Sequence, residues 1–271
     1  MQTLRAVQDV RRALGPARAT SRIALVPTMG ALHDGHLALF AAARRAADVV
    51  VATIFVNPSQ FADPSDLATY PRDDARDEQL ASDAGVDVLF APRAADIYPP
   101  GFATWVHPGG AAEGLEGDGR PGHFRGVATI CLKLFSIVQP QVAFFGQKDA
   151  QQLAVIRQLV RDFNLDIEIC AVPVVRDQDG LAMSSRNARL SGAERTRALA
   201  ISRALDAGLA AYRDGRDPVA AARAPLAEMD VDYVAIENFD GQPTLAIAAR
   251  AGLTRLIDNV PLTAVNDRLP R

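Results

Sequence analysis

Residues 23–36 read IALVPTMGALHDGH. The apolar run at 23–26 predicts a buried strand that stops at Pro27 and a glycine-bearing turn, Thr28-Met29-Gly30. Two histidines follow, His33 and His36, with Asp34 and Gly35 between them, and the alanine-rich, proline-free run 37–48 predicts a helix. Strand, tight turn, polar cluster and helix in that order predict backbone N–H groups and a helix dipole aimed at one point beyond the strand's carboxyl end, where an anion is welcome. Imidazole in that position donates a hydrogen bond to phosphate without the bulk of arginine. A His-x-x-His pair also arises as a surface accident or within a metal site. Zinc would want three or four ligands, and the four histidines and two cysteines show no finger spacing, so no protein-built metal site is expected.

Outward from this stretch, apolar runs alternate with helical patterns. Residues 49–56 predict a second buried strand ended by Asn57-Pro58, 72–84 a polar helix followed by Gly85, 86–91 a third strand, and 104–107 a short fourth. Residues 109–122 read as a long Gly- and Pro-rich loop. Val127, Ile130, Leu134 and Val138 then keep helical spacing, followed by a strand at 142–145, a helix at 150–163 and a strand at 167–172. This βαβ rhythm predicts a parallel sheet covered on both faces. After Val175 the texture changes. Ser191 and Glu194 form a capping box before a long helix at 193–212, a second helix follows at 218–228, and short strands are expected at 231–237, 244–249 and 255–257, with Asp240-Gly241 turning the first pair. The expected division is a domain at 1–176 and a small α+β domain at 177–271.

Composition narrows the function. A chain of 271 residues can bury a substantial core, and a net charge of −3 gives no reason to expect nucleic-acid binding. Residues 1–15 are charged and helical in pattern, without the apolar centre of a signal peptide, and no run approaches the ~20 apolar residues of a membrane span. Cys131 and Cys170 both fall in apolar segments, so buried free thiols are expected, in a cytosol-type compartment.

Four further clusters matter. Asn57 and Gln60, after the second strand, offer neutral donors and acceptors suited to a hydroxyl or carboxylate, although Asn-Pro is also a common turn dipeptide. Lys148, in Gly146-Gln147-Lys148-Asp149, stands at a helix N-terminus, where the dipole repels a cation unless an anion lies between them. A phosphate would resolve that conflict, and so would a simple pair with Asp149. The polar run Met183-Ser184-Ser185-Arg186-Asn187 could clamp a triphosphate or serve as a plain linker. Finally, Gly117-Asp118-Gly119-Arg120-Pro121-Gly122 formally matches G-x-G-x-x-G, but no strand precedes it and Pro121 sits inside it, so it is no dinucleotide fingerprint. Arg120, His123 and Arg125 are expected to cover the site as part of a mobile loop. No P-loop occurs.

With these pieces in hand, the chain closely resembles the pantoate–β-alanine ligase (pantothenate synthetase) family. The matching blocks are PTMGALHDGH at 27–36, FVNPSQF at 55–61, YPR at 70–72, RPGHFRGVAT at 120–129, VAFFGQKDAQQL at 142–153 and DGLAMSSRN at 179–187, with LIDN at 256–259 a weaker tail match. The resemblance implies a Rossmann-like parallel sheet of the H-x-G-H nucleotidylyltransferase type at 1–176, binding ATP and pantoate, and a C-terminal lid domain. It also implies a cytoplasmic enzyme and usually a homodimer. Carried over residue by residue, ATP contacts fall on Met29, Gly30, Ala31, Leu32, His33, Asp34, Gly35 and His36, then Gly146, Gln147, Lys148, Asp149 and Val175, and on Met183, Ser184, Ser185 and Arg186. Pantoate falls to Gln60 and Gln152, and β-alanine to Gln60. His36 matches the family's catalytic proton donor. His33, Lys148, Ser184, Ser185 and Arg186 are the other donors expected to act in catalysis, with Mg²⁺ bridging phosphates and taking few protein ligands. Asp73-Asp74 depart from the family pattern, whereas Asp77 matches an acidic position. The implied reaction condenses pantoate with β-alanine through pantoyl adenylate, giving pantothenate, AMP and pyrophosphate. Two alternatives stand beside it: a nucleotidylyltransferase of the same fold acting on a phosphorylated acceptor, and a non-catalytic nucleotide sensor.

Overall fold

The computed structural model describes residues 1–262, which divide into two compact units. The first comprises 1–147 with 151–173; the second takes 148–150 and the chain from 174 onward.

The first unit is built on β1 (Gln2–Leu4), α1 (Val7–Leu14), β2 (Ile23–Thr28), α2 (Asp34–Ala46), β3 (Val49–Ile54), α3 (Pro64–Ala68), α4 (Asp74–Asp83), β4 (Val88–Phe90), α5 (Ala94–Ile97), α6 (Glu116–Gly119), α7 (His123–Val138), β5 (Val142–Gly146), α8 (Ala150–Asp162) and β6 (Glu168–Val172). Its six strands pair in parallel in the order β1-β4-β3-β2-β5-β6. The short run in β2 is apolar on both faces because both faces are covered. Ile23 and Leu25 pack with Val127, Leu134 and Phe135 of α7, while Ala24 and Val26 pack with Leu39, Phe40 and Ala43 of α2. From β2 the chain builds outward through β3 and β4, then returns to β5 on the other side. The carboxyl ends of β2 and β5 therefore flank the point where the winding reverses, the usual place for a ligand in an open parallel sheet.

The second unit contains α9 (Gly192–Arg213), α10 (Pro218–Arg223), β7 (Asp230–Phe239), β8 (Gln242–Ala251) and β9 (Thr254–Pro261). The three strands form an antiparallel sheet in chain order. Ala198, Ile201, Ala204 and Leu205 of α9 pack on Leu245, Ile247 and Ala249 of β8. The Ser191–Glu194 capping box forms as expected: Glu194 N donates to Ser191 Oγ at 3.3 Å and Ser191 N to Glu194 Oε2 at 2.8 Å. Asp240 and Gly241, at φ 53 and 82, turn the β7–β8 hairpin.

Some expectations need correction. Residues 104–107 form no strand. Both sides of β4 are already taken, by β3 and β1, so no ladder is open to them beside it. Trp105 instead packs on Tyr98 and Phe102, with the Arg125 guanidinium 4.8 Å over its ring. The N-terminal stretch is not wholly helical, since β1 pairs with β4 before α1 begins. The 109–122 loop contains the single turn α6, and the helix expected at 218–228 ends at Arg223, beyond which Pro225 sits in a 3-10 turn. Cys131 is buried and its thiol is pushed up to about 12, but Cys170 is only half-buried on the edge strand β6. Among the described residues no helix is long and apolar enough to cross a membrane.

Candidate active site

The turn after β2 is held by a carboxylate from another helix. Gly30 and Ala31 both lie in the left-handed region, at φ 81 and 52. Asp77 on α4, 1% exposed, accepts from the backbone N of Ala31 at 2.6 Å and of Leu32 at 2.8 Å. A β-carbon on residue 30 would sit 2.9 Å from Asp77 Oδ2, so both the conformation and the space call for glycine there. Gly30 N donates to Thr28 Oγ1 at 3.2 Å. The acidic position at 77 thus anchors the backbone.

The two histidines complete the same closure. His33 caps α2: its Nδ1 accepts from Gly35 N at 3.2 Å, and His36 Nδ1 accepts from His33 N at 3.2 Å. The rings lie 4.1 Å apart. An imidazole that accepts at Nδ1 carries its neutral-state proton on Nε2, so each ring presents an Nε2–H donor. Burial, with help from the neighbouring His33, lowers the His36 pKa to about 3, and that ring is neutral at physiological pH. The expectation of backbone N–H groups aimed outward is therefore corrected. The N–H groups of Gly30, Ala31, Leu32, His33 and Gly35 are satisfied by Thr28, Asp77 and the two histidines.

Gln60 lies beside this turn. It is buried; its Nε2 donates to Met29 Sδ at 3.0 Å and its Oε1 accepts from Asn57 Nδ2 at 3.0 Å. Asn57 Oδ1 accepts from Ser59 Oγ and from the Tyr98 hydroxyl, each at 2.8 Å. Helix α7 crosses directly beneath. A β-carbon on Gly126 would meet Ser59 O at 2.4 Å and Gln60 N at 2.6 Å, so only glycine allows the approach. His123, expected in a mobile cover, is instead buried, with its Nδ1 2.9 Å from Gln60 O and its Nε2 3.1 Å from Arg120 Nη1. Arg125 lies over Trp105. On α8, Gln151 is occupied by the loop, bonding Glu116 N and the carbonyls of Ala111, Glu113 and Gly114. Gln152 is its half-buried neighbour. Gly146 ends β5, and Gln147 opens the 3-10 turn Gln147–Asp149.

The remaining expected contacts belong to the second unit. Met183 N donates to Val175 O at 2.9 Å, and Arg176 pairs with Ala182, making a small hairpin that delivers Ser184. Ser184 caps the 3-10 turn Ser185–Arg189, its Oγ accepting from Arg186 N at 3.3 Å. Arg176 is gripped by Asp258 of β9 at 2.6 and 3.2 Å. Lys148 Nζ lies 4.0 Å from Asp149, at the outer limit of an ion pair, and its main-chain carbonyl accepts from Asn259 Nδ2 at 2.8 Å. Nothing in the local sequence singles out Asp258, Asn259, Arg176 or Tyr98 as site residues; the LIDN block is the one signal that points toward the first two. Among the described residues no group of three His, Cys, Asp or Glu side chains is gathered to cage a metal ion.

Comparison with known proteins matches the geometry to a family. The model of the pantoate-beta-alanine ligase family matches residues 2–261. Pantothenate synthetase 1 of Bradyrhizobium diazoefficiens is 52% identical over 279 residues, covering 97% of this chain and 99% of its own length. The pantothenate synthetase of Geobacter sp. strain M21 is 52% identical over 253 residues, covering 88% and 91%. Among solved structures, the pantothenate synthetase of Thermus thermophilus superposes with a TM-score of 0.92 at 43% identity, covering 97% of this chain and 100% of that one. The pantoate-beta-alanine ligase of Francisella tularensis, solved with beta-gamma ATP and beta-alanine, gives 0.85 at 35% identity, covering 97% and 98%. The chain belongs to the pantoate–β-alanine ligase family.

Proposed function

We propose that this chain joins (R)-pantoate to β-alanine in an ATP-dependent reaction that yields pantothenate, AMP and pyrophosphate. The observation that carries this reading is the family match from residue 2 to residue 261. A carboxylate is a poor electrophile toward an amine, so the acid is activated first. Pantoate's carboxylate attacks the α-phosphorus of ATP and displaces pyrophosphate, giving pantoyl adenylate. The amine of β-alanine then attacks the acyl carbon, and AMP leaves with the electron pair of the broken C–O bond. Holding two anions together long enough to react is the protein's main task, so positioning and charge neutralisation carry most of the rate.

His33 and His36 supply Nε2–H donors to the phosphates. A ring whose pKa is held near 3 acts as a hydrogen-bond donor rather than as an acid, which supports positioning over proton transfer for His36. Lys148, Ser184, Ser185 and Arg186 act on the triphosphate, Gln60 and Gln152 on pantoate, and Gln60 also on β-alanine. Magnesium carried by ATP would neutralise phosphate charge and take few protein ligands. The adenylate hydrolyses easily, so we assign 1–176 to ATP and pantoate binding and 177–271 to a closing role that excludes water. A cytoplasmic homodimer completes the reading.

A coupled assay following AMP, with each substrate omitted in turn, tests it. AMP release should require ATP and pantoate and be strongly raised by β-alanine. A nucleotidylyltransferase would instead leave AMP attached to a phosphorylated acceptor, and a nucleotide sensor would release no pyrophosphate. His36→Ala or Lys148→Ala should slow adenylate formation by roughly two to three decades. A near-normal rate in either variant removes that residue from the mechanism.

A further inference from the structure

The Asp258-Asn259 pair on β9 connects two segments far away in sequence. Asn259 is buried, and its side-chain amide donates to the Lys148 carbonyl at 2.8 Å, spanning 111 positions of chain. Asp258 Oδ1 accepts from the backbone N of Asn259 at 2.8 Å, which ties the two neighbours together. The same carboxylate grips Arg176, and Arg176 Nη1 also donates to Gly180 O at 3.1 Å, closing the turn of the hairpin that leads into Ser184. One strand therefore carries both the main chain of Lys148 and the base of the 184–186 run.

We propose that Asn259 is a positioning residue for Lys148, and that Asp258, through Arg176, mounts Ser184-Ser185-Arg186 on the same strand. β9 then sets the distance between the ammonium and guanidinium donors. A lysine head group ends a flexible four-carbon stem, so the placement of its main chain decides what it reaches. Lys148 also precedes a helix whose dipole opposes a cation, and the bond to its carbonyl fixes the backbone there without adding charge. Small displacements of a charge-stabilising donor cost rate steeply. This inference rests on the ligase reading, because it acts through the adenylation step that reading assigns to Lys148.

The test separates the two half-reactions in the full-length protein. Asn259→Ala should slow pantoyl adenylate formation about tenfold, the scale of one lost hydrogen bond at a site where position matters. Aminolysis of supplied pantoyl adenylate by β-alanine, which no longer involves the triphosphate, should change by less than about twofold. On a Lys148→Ala background the same substitution should add nothing to the adenylation defect. Asn259→Leu, which keeps the volume while removing the donor, should repeat the pattern and serves if the alanine variant melts. The proposal is overturned if both half-reactions fall equally, if the loss persists without Lys148, or if neither variant folds, since Asn259 would then serve stability alone. A wild-type chain that releases no AMP from pantoate, ATP and β-alanine would instead refute the ligase reading itself.

Discussion

Two buried aspartates, Asp77 in the first unit and Asp258 in the second, each stand behind a segment expected to meet the nucleotide, and they are held differently. Asp77 takes two neutral backbone N–H groups, with the nearest cation, the largely exposed Arg76, at 4.0 Å. Asp258 takes a bidentate guanidinium and a single backbone N–H. The neutral arrangement shapes a turn: it holds Gly30 and Ala31 in left-handed conformations and fixes the start of the two-histidine cap. The charged arrangement ties Arg176 to β9 across 82 positions of chain. One carboxylate sets local curvature, while the other acts as a clamp.

The largest expected effect is on the clamp. Asp258→Ala leaves Arg176 without its counter-charge and should cost about 3 kcal/mol in denaturant unfolding. Replacing the pair together, Arg176→Met with Asp258→Leu, should recover much of that stability while adenylation stays slow. Recovery of both would reduce the clamp to a stability feature. At the turn, Asp77→Ala unpairs two backbone donors, that of Leu32 being buried, for about 2 kcal/mol. Asp77→Asn should do no better, because its amide would set a donor against one of the two N–H groups. In both Asp77 variants adenylation should fall as the histidines lose their mounting, and full activity in Asp77→Asn would break the contrast.

Most of the first region can be read from sequence because its signals are local. An apolar run, a proline, a glycine turn and a helical stretch lie within 26 consecutive residues, and β2 and α2 form there. What sequence cannot show is the partner that uses up the N–H groups, since Asp77 is 45 and 46 positions away from them. Strand β1 escapes for a similar reason. Three residues are too short to show alternation, and only pairing with β4 makes them a strand. Residues 104–107 mislead in the opposite sense, having strand-like composition but no open ladder beside β4. In the second unit the donor types at 183–187 are legible, but their clamp spans 82 residues and leaves only the LIDN block as a trace.

Acid should separate the two regions, because their groups titrate with opposite sign. His36, held near 3 against an ordinary 6.5, takes up its proton later in the folded chain than in the unfolded one. Its contribution is whole above about pH 6.5 and is lost progressively as the pH falls toward 3. Burial, the largest influence on Asp258, raises its carboxyl above the ordinary 3.8. The folded chain then binds that proton first, so acidification above 3.8 favours folding there. Hydrogen exchange at decreasing pH, corrected for intrinsic rates, should show amides of 30–37 losing protection before those of 174–186. His36→Gln should remove most of that early loss, and a simultaneous loss in both regions would end the distinction.

The smallest expected effect probes a third kind of support, a neutral network with no carboxylate. Tyr98→Phe deletes one of the acceptor contacts at Asn57 Oδ1 but leaves Ser59 Oγ bonded to the same atom at 2.8 Å. One hydrogen bond with a surviving partner should cost about 1 kcal/mol of stability. Because Asn57 in turn holds Gln60 Oε1, the KM for pantoate should rise while the KM for ATP stays put. A rise in the ATP KM alone would assign this network to the nucleotide side, and Gln60 would then belong with Met29 and the histidine turn rather than with the acid.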